Sequence, residues 1–391
     1  MQAWVILYAI GAAQAALLAL ALWRRPQNAV ANRVLAGWVA VVCVDLAVKA
    51  AYLSAPSLEW FRAFRFVWLF PWLYGSLFYL YVRTLVSGRA PRMRDAVHGL
   101  GFVAMAAITA PVWLATGKTL AGHYARYQLG WPPPVPGYDV LLFGYSLSYV
   151  GAAVWQLHRY RRALRARRSD ADRWSLHWVE ALALGQLLIW AIALAATALE
   201  GHWISYFAIY AAVAVWVCVV GWFALVQPAM LAPDARDDDN EIADAESASG
   251  FDVVPADDGE APAESSSVAN DPRLPEVEAR LQRLMQEEAL FRTPALTIGQ
   301  LARRSGYPEY LVSETINRRS GSSFWEWINQ WRVDAVRAHL DDPGDTRTVL
   351  DIAYDCGFTA KSTFNSAFKR RVGCTPSAYR QRVASTAQGQ R

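Results

Sequence analysis

Apolar residues fall in blocks of about twenty over the first 227 positions of this 391-residue chain, with short polar breaks between them. Seven such blocks stand at roughly 3–23, 30–53, 62–85, 96–116, 138–158, 176–199 and 203–226. Each is long enough to cross about 30 Å of hydrocarbon as a helix. None shows the alternating ten-residue pattern of a membrane β-barrel strand. Helices buried in a soluble core would need a polar outer layer, and seven apolar runs in series leave none. The pattern therefore predicts a seven-helix transmembrane bundle over 1–227. It then changes abruptly. Positions 228–272 hold five prolines, many small residues and few large apolar ones. From Pro275 to Phe291, Val277, Leu281, Leu284, Met285 and Ala289 recur at helical spacing. The reading is an all-α chain in three parts: membrane bundle 1–227, linker 228–272 and a globular domain 273–391.

Charge sharpens this division. The net charge of +4 is the resultant of +11, −12 and +5 over the three parts. The middle part, with thirteen acidic residues and one arginine, has too little to bury to offset its ordering entropy, so it reads as a disordered acidic tether. In the first part, fourteen arginines gather in, or at the block edges beside, the first, third and fifth breaks. Positive loops stay in the cytoplasm. The N-terminus is then outside the cytoplasmic (inner) membrane and everything after about residue 227 is inside, as an odd number of spans requires. The first block lacks the basic residues that precede a signal-peptide core; Arg24 and Arg25 follow it. Trp and Tyr crowd the block ends, as in interfacial belts, and Pro71 and Pro111 should kink their helices. The four cysteines (Cys43, Cys218, Cys356 and Cys374) have neither C-x-x-C nor metal-ligand spacing. No nucleophile–base pair or phosphate-binding glycine loop stands out either. No metal, cofactor or enzymatic activity is expected.

Ionisable residues inside the spans are candidates for function. Asp45 and Lys49, four apart, share a helix face and can pair. His177 and Glu180 lie near the cytoplasmic end of the sixth span. These four are the candidate sensor or intramembrane polar residues; the alternative is a structural ion pair facing the bundle. The outer loop 117–137, with His123, Tyr124 and Trp131, is either a cap or a stiff connector.

The last part carries a duplicated pattern. Leu301-Ala302-Arg303-Arg304-Ser305-Gly306-Tyr307 is echoed by Ile352-Ala353-Tyr354-Asp355-Cys356-Gly357-Phe358. In both, a small Ala precedes Gly by four positions and an aromatic follows the Gly. The Ala lets a second helix approach, and the Gly supplies a left-handed turn residue between two helices. Two helix-turn-helix patterns, 51 residues apart, flank a helical stretch at 324–340. Leu301, Ala302, Ile352, Ala353, Phe358, Phe364 and Phe368 read as core, Trp325, Trp327 and Trp331 as packing, and Cys356 as a buried small residue.

Residues 295–383 resemble the DNA-binding domain of AraC-type transcription regulators. The second half carries the resemblance through Gly357-Phe358, Phe364, Phe368-Lys369-Arg370, Gly373, Thr375-Pro376 and Tyr379-Arg380. The first half adds Leu301-Ala302, Gly306-Tyr307, Phe324, Ile328-Asn329 and Arg332-Val333. Ile316-Asn317 departs from the usual aromatic and resembles the subset fused to multi-span membrane domains. The resemblance implies two recognition helices, about 308–319 and 360–372, entering successive major grooves of promoter double-stranded DNA. By motif, Tyr310, Ser313, Glu314 and Asn317 face the groove from the first, and Lys361, Ser362, Thr363, Asn365 and Ser366 from the second. Arg318, Arg319, Lys369, Arg370 and Arg371 stand at helix ends where phosphates lie. The expected function is a membrane-embedded one-component regulator. Its candidate partners are promoter DNA, the lipid bilayer, RNA polymerase, an unknown ligand or membrane signal, and a second copy of the chain. The competing reading is a transporter or membrane enzyme with an appended DNA-binding module.

Overall fold

The computed structural model describes residues 2–128, 137–174, 176–198, 206–226, 271–342 and 344–389. Nearly all of the predicted acidic tether, and Trp131 with the prolines after it, lie outside these residues, as does the side chain of His177. The chain divides into two units. One is Met1–His158 with Leu176–Glu241, and the other is Arg159–Ser175 with Ile242–Arg391. Every regular element among the described residues is a helix, and one isolated antiparallel bridge joins Arg168 and Thr297.

In the first unit the helices are α1 (Gln2–Arg24), α2 (Ala29–Ser54), α3 (Leu58–Val67), α4 (Pro71–Ser87), α5 (Leu100–Trp113), α6 (Gly117–Gln128), α7 (Tyr138–Arg167), α8 (His177–Ala198) and α9 (Tyr206–Val226). The division between units falls inside α7. Five helical stretches among the described residues are long and apolar enough to cross a membrane, and Ala208–Phe223 is a shorter apolar one. The run expected at 62–85 is not one helix but two. Pro71 has no N–H to give, and it takes the first position of α4, where none is needed. Just before it, Leu69 and Phe70 donate to Phe66 and Val67, closing tight turns. Pro111, by contrast, sits within α5.

Small residues let these helices approach closely. A Cβ on Gly11 would lie 2.7 Å from the Ala214 methyl, and one on Gly75 would lie 2.8 Å from the Ser146 carbonyl oxygen. Asp45 and Lys49 pair as their spacing predicts, with both side chains buried. The Tyr74 hydroxyl donates to the other Asp45 oxygen at 2.6 Å, and the Lys49 ammonium lies 3.5 Å from the Tyr210 ring centroid. The pair thus gathers side chains from α2, α4 and α9. The 117–137 break holds α6, whose Tyr124 packs edge-on against Phe61 of α3.

In the second unit the helices are α10 (Leu274–Gln286), α11 (Ile298–Ser305), α12 (Glu309–Arg319), α13 (Phe324–Asp341), α14 (Val349–Asp355), α15 (Lys361–Val372) and α16 (Pro376–Gly389). Two cores form. The first joins α10, α11 and α12 through Leu281, Leu284, Leu301 and Val312; the second joins α14 and α15 through Ile352, Ala353, Phe364 and Phe368. Helix α13 belongs to both. Its first turns give Phe324, Trp327 and Ile328 to the first core, and its later turns give Val333, Val336 and Leu340 to the second.

Candidate nucleic-acid interface

Each half of the second unit is built by local chemistry that fixes where its helices start and stop. Thr297 opens α11: its hydroxyl accepts from the Gln300 N–H at 3.2 Å, and the Gln300 side chain accepts from the Thr297 N–H at 3.0 Å. Gly306, at φ +79°, closes that helix, and Pro308 leads into α12. Ser323 and Glu326 cap α13 in the same reciprocal way. In the second half Thr348 caps α14, Gly357 at φ +90° makes the turn, and Gly373 at φ +84° ends α15. Helix, glycine turn and second helix thus occur twice, in the order the duplicated pattern predicts.

The second helix of each pair buries one face and shows the other. In α12, Leu311, Val312, Thr315 and Ile316 go inward. Tyr310 and Asn317 are exposed, and Ser313 and Glu314 are half-buried. In α15, Phe364, Ala367 and Phe368 go inward, while Lys361, Ser362, Asn365 and Ser366 stand exposed. Thr363 departs from expectation: it is 5% exposed and belongs to the buried face. Three residues after Ala360 and one before Phe364, it falls on the core side of the helical repeat, so it is not in line with Lys361 and Asn365.

The basic residues at the helix ends are mostly held by acids. Arg318 pairs with Glu314 one turn back on α12. Arg319 donates to Glu278 at 2.7 Å, and Arg371 to Asp334 at 3.0 Å. Arg370 stands 3.7 Å from Glu326 and 5.1 Å from the Trp325 ring centroid. Lys361 and Lys369 are exposed and have no acidic partner among the described residues. Glu314 is therefore half of a surface ion pair that fixes Arg318, an exposed arrangement worth little to stability. All three tryptophans of α13 pack: Trp325 and Trp327 are buried, and Trp331 stacks at 6.4 Å on Phe291.

Sequence reasoning missed one residue of consequence. Arg332 is 1% exposed at the centre of this unit. Its guanidinium donates to the carbonyls of Phe291 at 2.8 Å and Thr293 at 2.9 Å, so it ties α13 to the loop before α11. Burial pulls its pKa down to about 10, which leaves it charged at neutral pH. The available signal was its register: Ile328, Arg332 and Val336 recur every four residues, so a charge stands in a core position.

A long helix carrying two helix-turn-helix units, each with an exposed polar face on its second helix, defines a double helix-turn-helix protein. A family model described as a helix-turn-helix domain matches residues 280–382. The virulence regulon transcriptional activator VirF of Yersinia enterocolitica is 32% identical over 110 residues, which is 28% of this chain and 39% of that protein. The thermoregulatory protein LcrF of Yersinia pestis matches to the same extent. The regulatory protein SoxS of Salmonella typhimurium is 31% identical over 88 residues, 22% of this chain and 80% of that protein. No solved structure matches the chain. The chain belongs, through this domain, to the AraC-type family of transcription regulators. It spans 39% of the length of VirF and of LcrF.

Proposed function

We propose that the protein is a membrane-embedded, one-component transcription regulator that binds promoter DNA through residues 273–391 and takes its signal through residues 1–227. The observation that carries the DNA-binding half is the exposed face of α15: Lys361, Ser362, Asn365 and Ser366 stand together over a buried Phe364–Phe368 side. Such a face fits a major groove. Lys361 can donate to guanine acceptors and Asn365 can pair with adenine. Tyr310, Ser313 and Asn317 offer the corresponding face of α12. Lys369, with Arg318, Arg319, Arg370 and Arg371 exchanging their acidic partners for phosphates, supplies affinity rather than sequence readout.

The membrane half is supported by what its helices turn outward. Leu17, Val140, Leu184, Leu188 and Trp222 are among many large apolar side chains exposed on the first unit. A water-soluble bundle rarely leaves so many uncovered. In this reading seven spans hold the N-terminus outside and residues 228–272 act as a cytoplasmic tether. The buried Asp45–Lys49 pair with Tyr74 and Tyr210 is the candidate sensing element, because one polar cluster there bridges three helices that a signal can repack. RNA polymerase and a second copy of the chain are the further candidate partners for this role.

Crosslinking and sequencing of the DNA held by the full-length protein in its host tests the reading. A few discrete sites, lost when Lys361 and Asn365 are both changed to Ala, are expected. Absence of enriched sites under every growth condition would overturn it and leave the membrane half as the working part.

A further inference from the structure

The unit that carries the two helix-turn-helix motifs is not made of C-terminal residues alone. It includes Arg159–Ser175, the end of α7 and the turn after it. Three kinds of contact hold this segment. The first is backbone pairing: the Ser169 N–H donates to the Leu296 carbonyl at 3.0 Å, beside the antiparallel bridge between Arg168 and Thr297. The second is burial, with Ser169 fully covered, Asp170 at 3% and Ala171 at 1% exposure. The third is charge. The Arg332 guanidinium donates to the Ser169 hydroxyl at 3.2 Å, and the Asp170 carboxylate favours its charged form while also accepting from Arg168 at 2.9 Å. A buried guanidinium needs a counter-charge. The acid that acts on Arg332 comes from residue 170, a hundred positions before α10 begins. At the other side of α13, the Arg165 guanidinium lies 5.2 Å from the Trp325 ring centroid, and Arg370 lies 5.1 Å from the same centroid.

We propose that residues 165–170 are a docked, integral part of the DNA-binding unit. The counter-charge for the buried Arg332 comes from this segment of the same chain, and the segment holds the C-terminal domain to the chain independently of the linker. The segment is continuous in the chain with helix α7 (Tyr138–Arg167), and within the second unit Arg165 and Arg370 of α15 share the Trp325 ring. The docked segment is thus a second connection of the DNA-binding unit to the chain, besides residues 228–272.

The test uses the full chain with an N-terminal affinity tag and a protease site introduced at Gly250, solubilised in mild detergent and held on resin. After cleavage and washing, the C-terminal fragment is expected to stay. The double variant Ser169→Pro, Asp170→Lys removes the backbone donor and reverses the charge, and its fragment is expected to wash off. Asp170→Asn keeps the turn and removes only the counter-charge; retention is expected to weaken on the order of a hundredfold, with Asp170→Glu restoring it. Digestion before cleavage of the linker, monitored on α10 to α16, checks that each variant's domain is folded. A wild-type fragment that washes off as readily as the double variant's would overturn the proposal. So would retention equal in all four proteins, which would place the contact elsewhere. Neither readout involves DNA, so failure here is separable from failure of the regulator reading.

Discussion

Gly306 and Gly357 hold the same place in the two helix-turn-helix units, and both have positive φ, yet they do not do the same job. A Cβ on Gly306 would meet open space. One on Gly357 would lie 2.6 Å from the Phe291 carbonyl oxygen and 2.8 Å from that of Arg292. Those atoms are backbone, and the Phe291 carbonyl also accepts from Arg332, so it cannot yield without disturbing the buried guanidinium. Gly306→Ala should therefore cost only the left-handed penalty, about 1 kcal/mol. Gly357→Ala adds a clash with fixed backbone and should cost about 3 kcal/mol or more. Proteolytic susceptibility of the C-terminal unit in the full-length protein measures both; equal effects would remove the distinction. The duplicated sequence pattern made the two glycines look equivalent. The difference comes from residues more than sixty positions away, which no local pattern carries.

Helix α13 is the element on which the DNA-binding reading turns, because it alone contributes to both cores. A proline at Gln330, between Trp327 and Val333, would remove an interior hydrogen bond and clash with the carbonyl one turn back, at about 3 kcal/mol. The two halves would keep their own cores but lose their fixed spacing. Gln330→Pro is expected to abolish binding to a two-groove site while Gln330→Ala leaves it intact, in a gel-shift with full-length protein; retained binding by the proline variant would mean that the halves read DNA independently. Element boundaries here were largely legible in the sequence. The resemblance implies recognition helices at about 308–319 and 360–372, and α12 and α15 run Glu309–Arg319 and Lys361–Val372. Two things were not legible. Block hydropathy could not see that Pro71 divides 62–85 into α3 and α4, since the residues on both sides are equally apolar. Motif carry-over put Thr363 in the groove, whereas the helical repeat places it beside Phe364 on the buried face.

At the scale of the whole chain the distribution of arginine is the strongest constraint on orientation. Fourteen arginines fall in three of the polar breaks or at the block edges beside them, whereas the 117–137 break has Lys118 and Arg126. Holding this many cations on the outer side of a bacterial membrane opposes both the insertion bias and the membrane potential, at about 2.3 kcal/mol per charge for each 100 mV. The same break contains α6, which has too many polar residues for a span (Lys118, His123, Arg126 and Gln128 in twelve positions). α6 should then lie on the outer face, and the residues that follow α9 on the inner one. In a variant whose four native cysteines are replaced, a cysteine at Gly122, where nothing crowds the added side chain, should react with a membrane-impermeant maleimide applied to intact cells. A cysteine at Ala248, in the acidic stretch, should react only after the cells are opened. The reverse pattern would place the DNA-binding unit outside the cell and end the regulator reading. Labelling at both positions from outside would require an even number of crossings between residues 122 and 248, against the three crossings proposed at α7, α8 and α9.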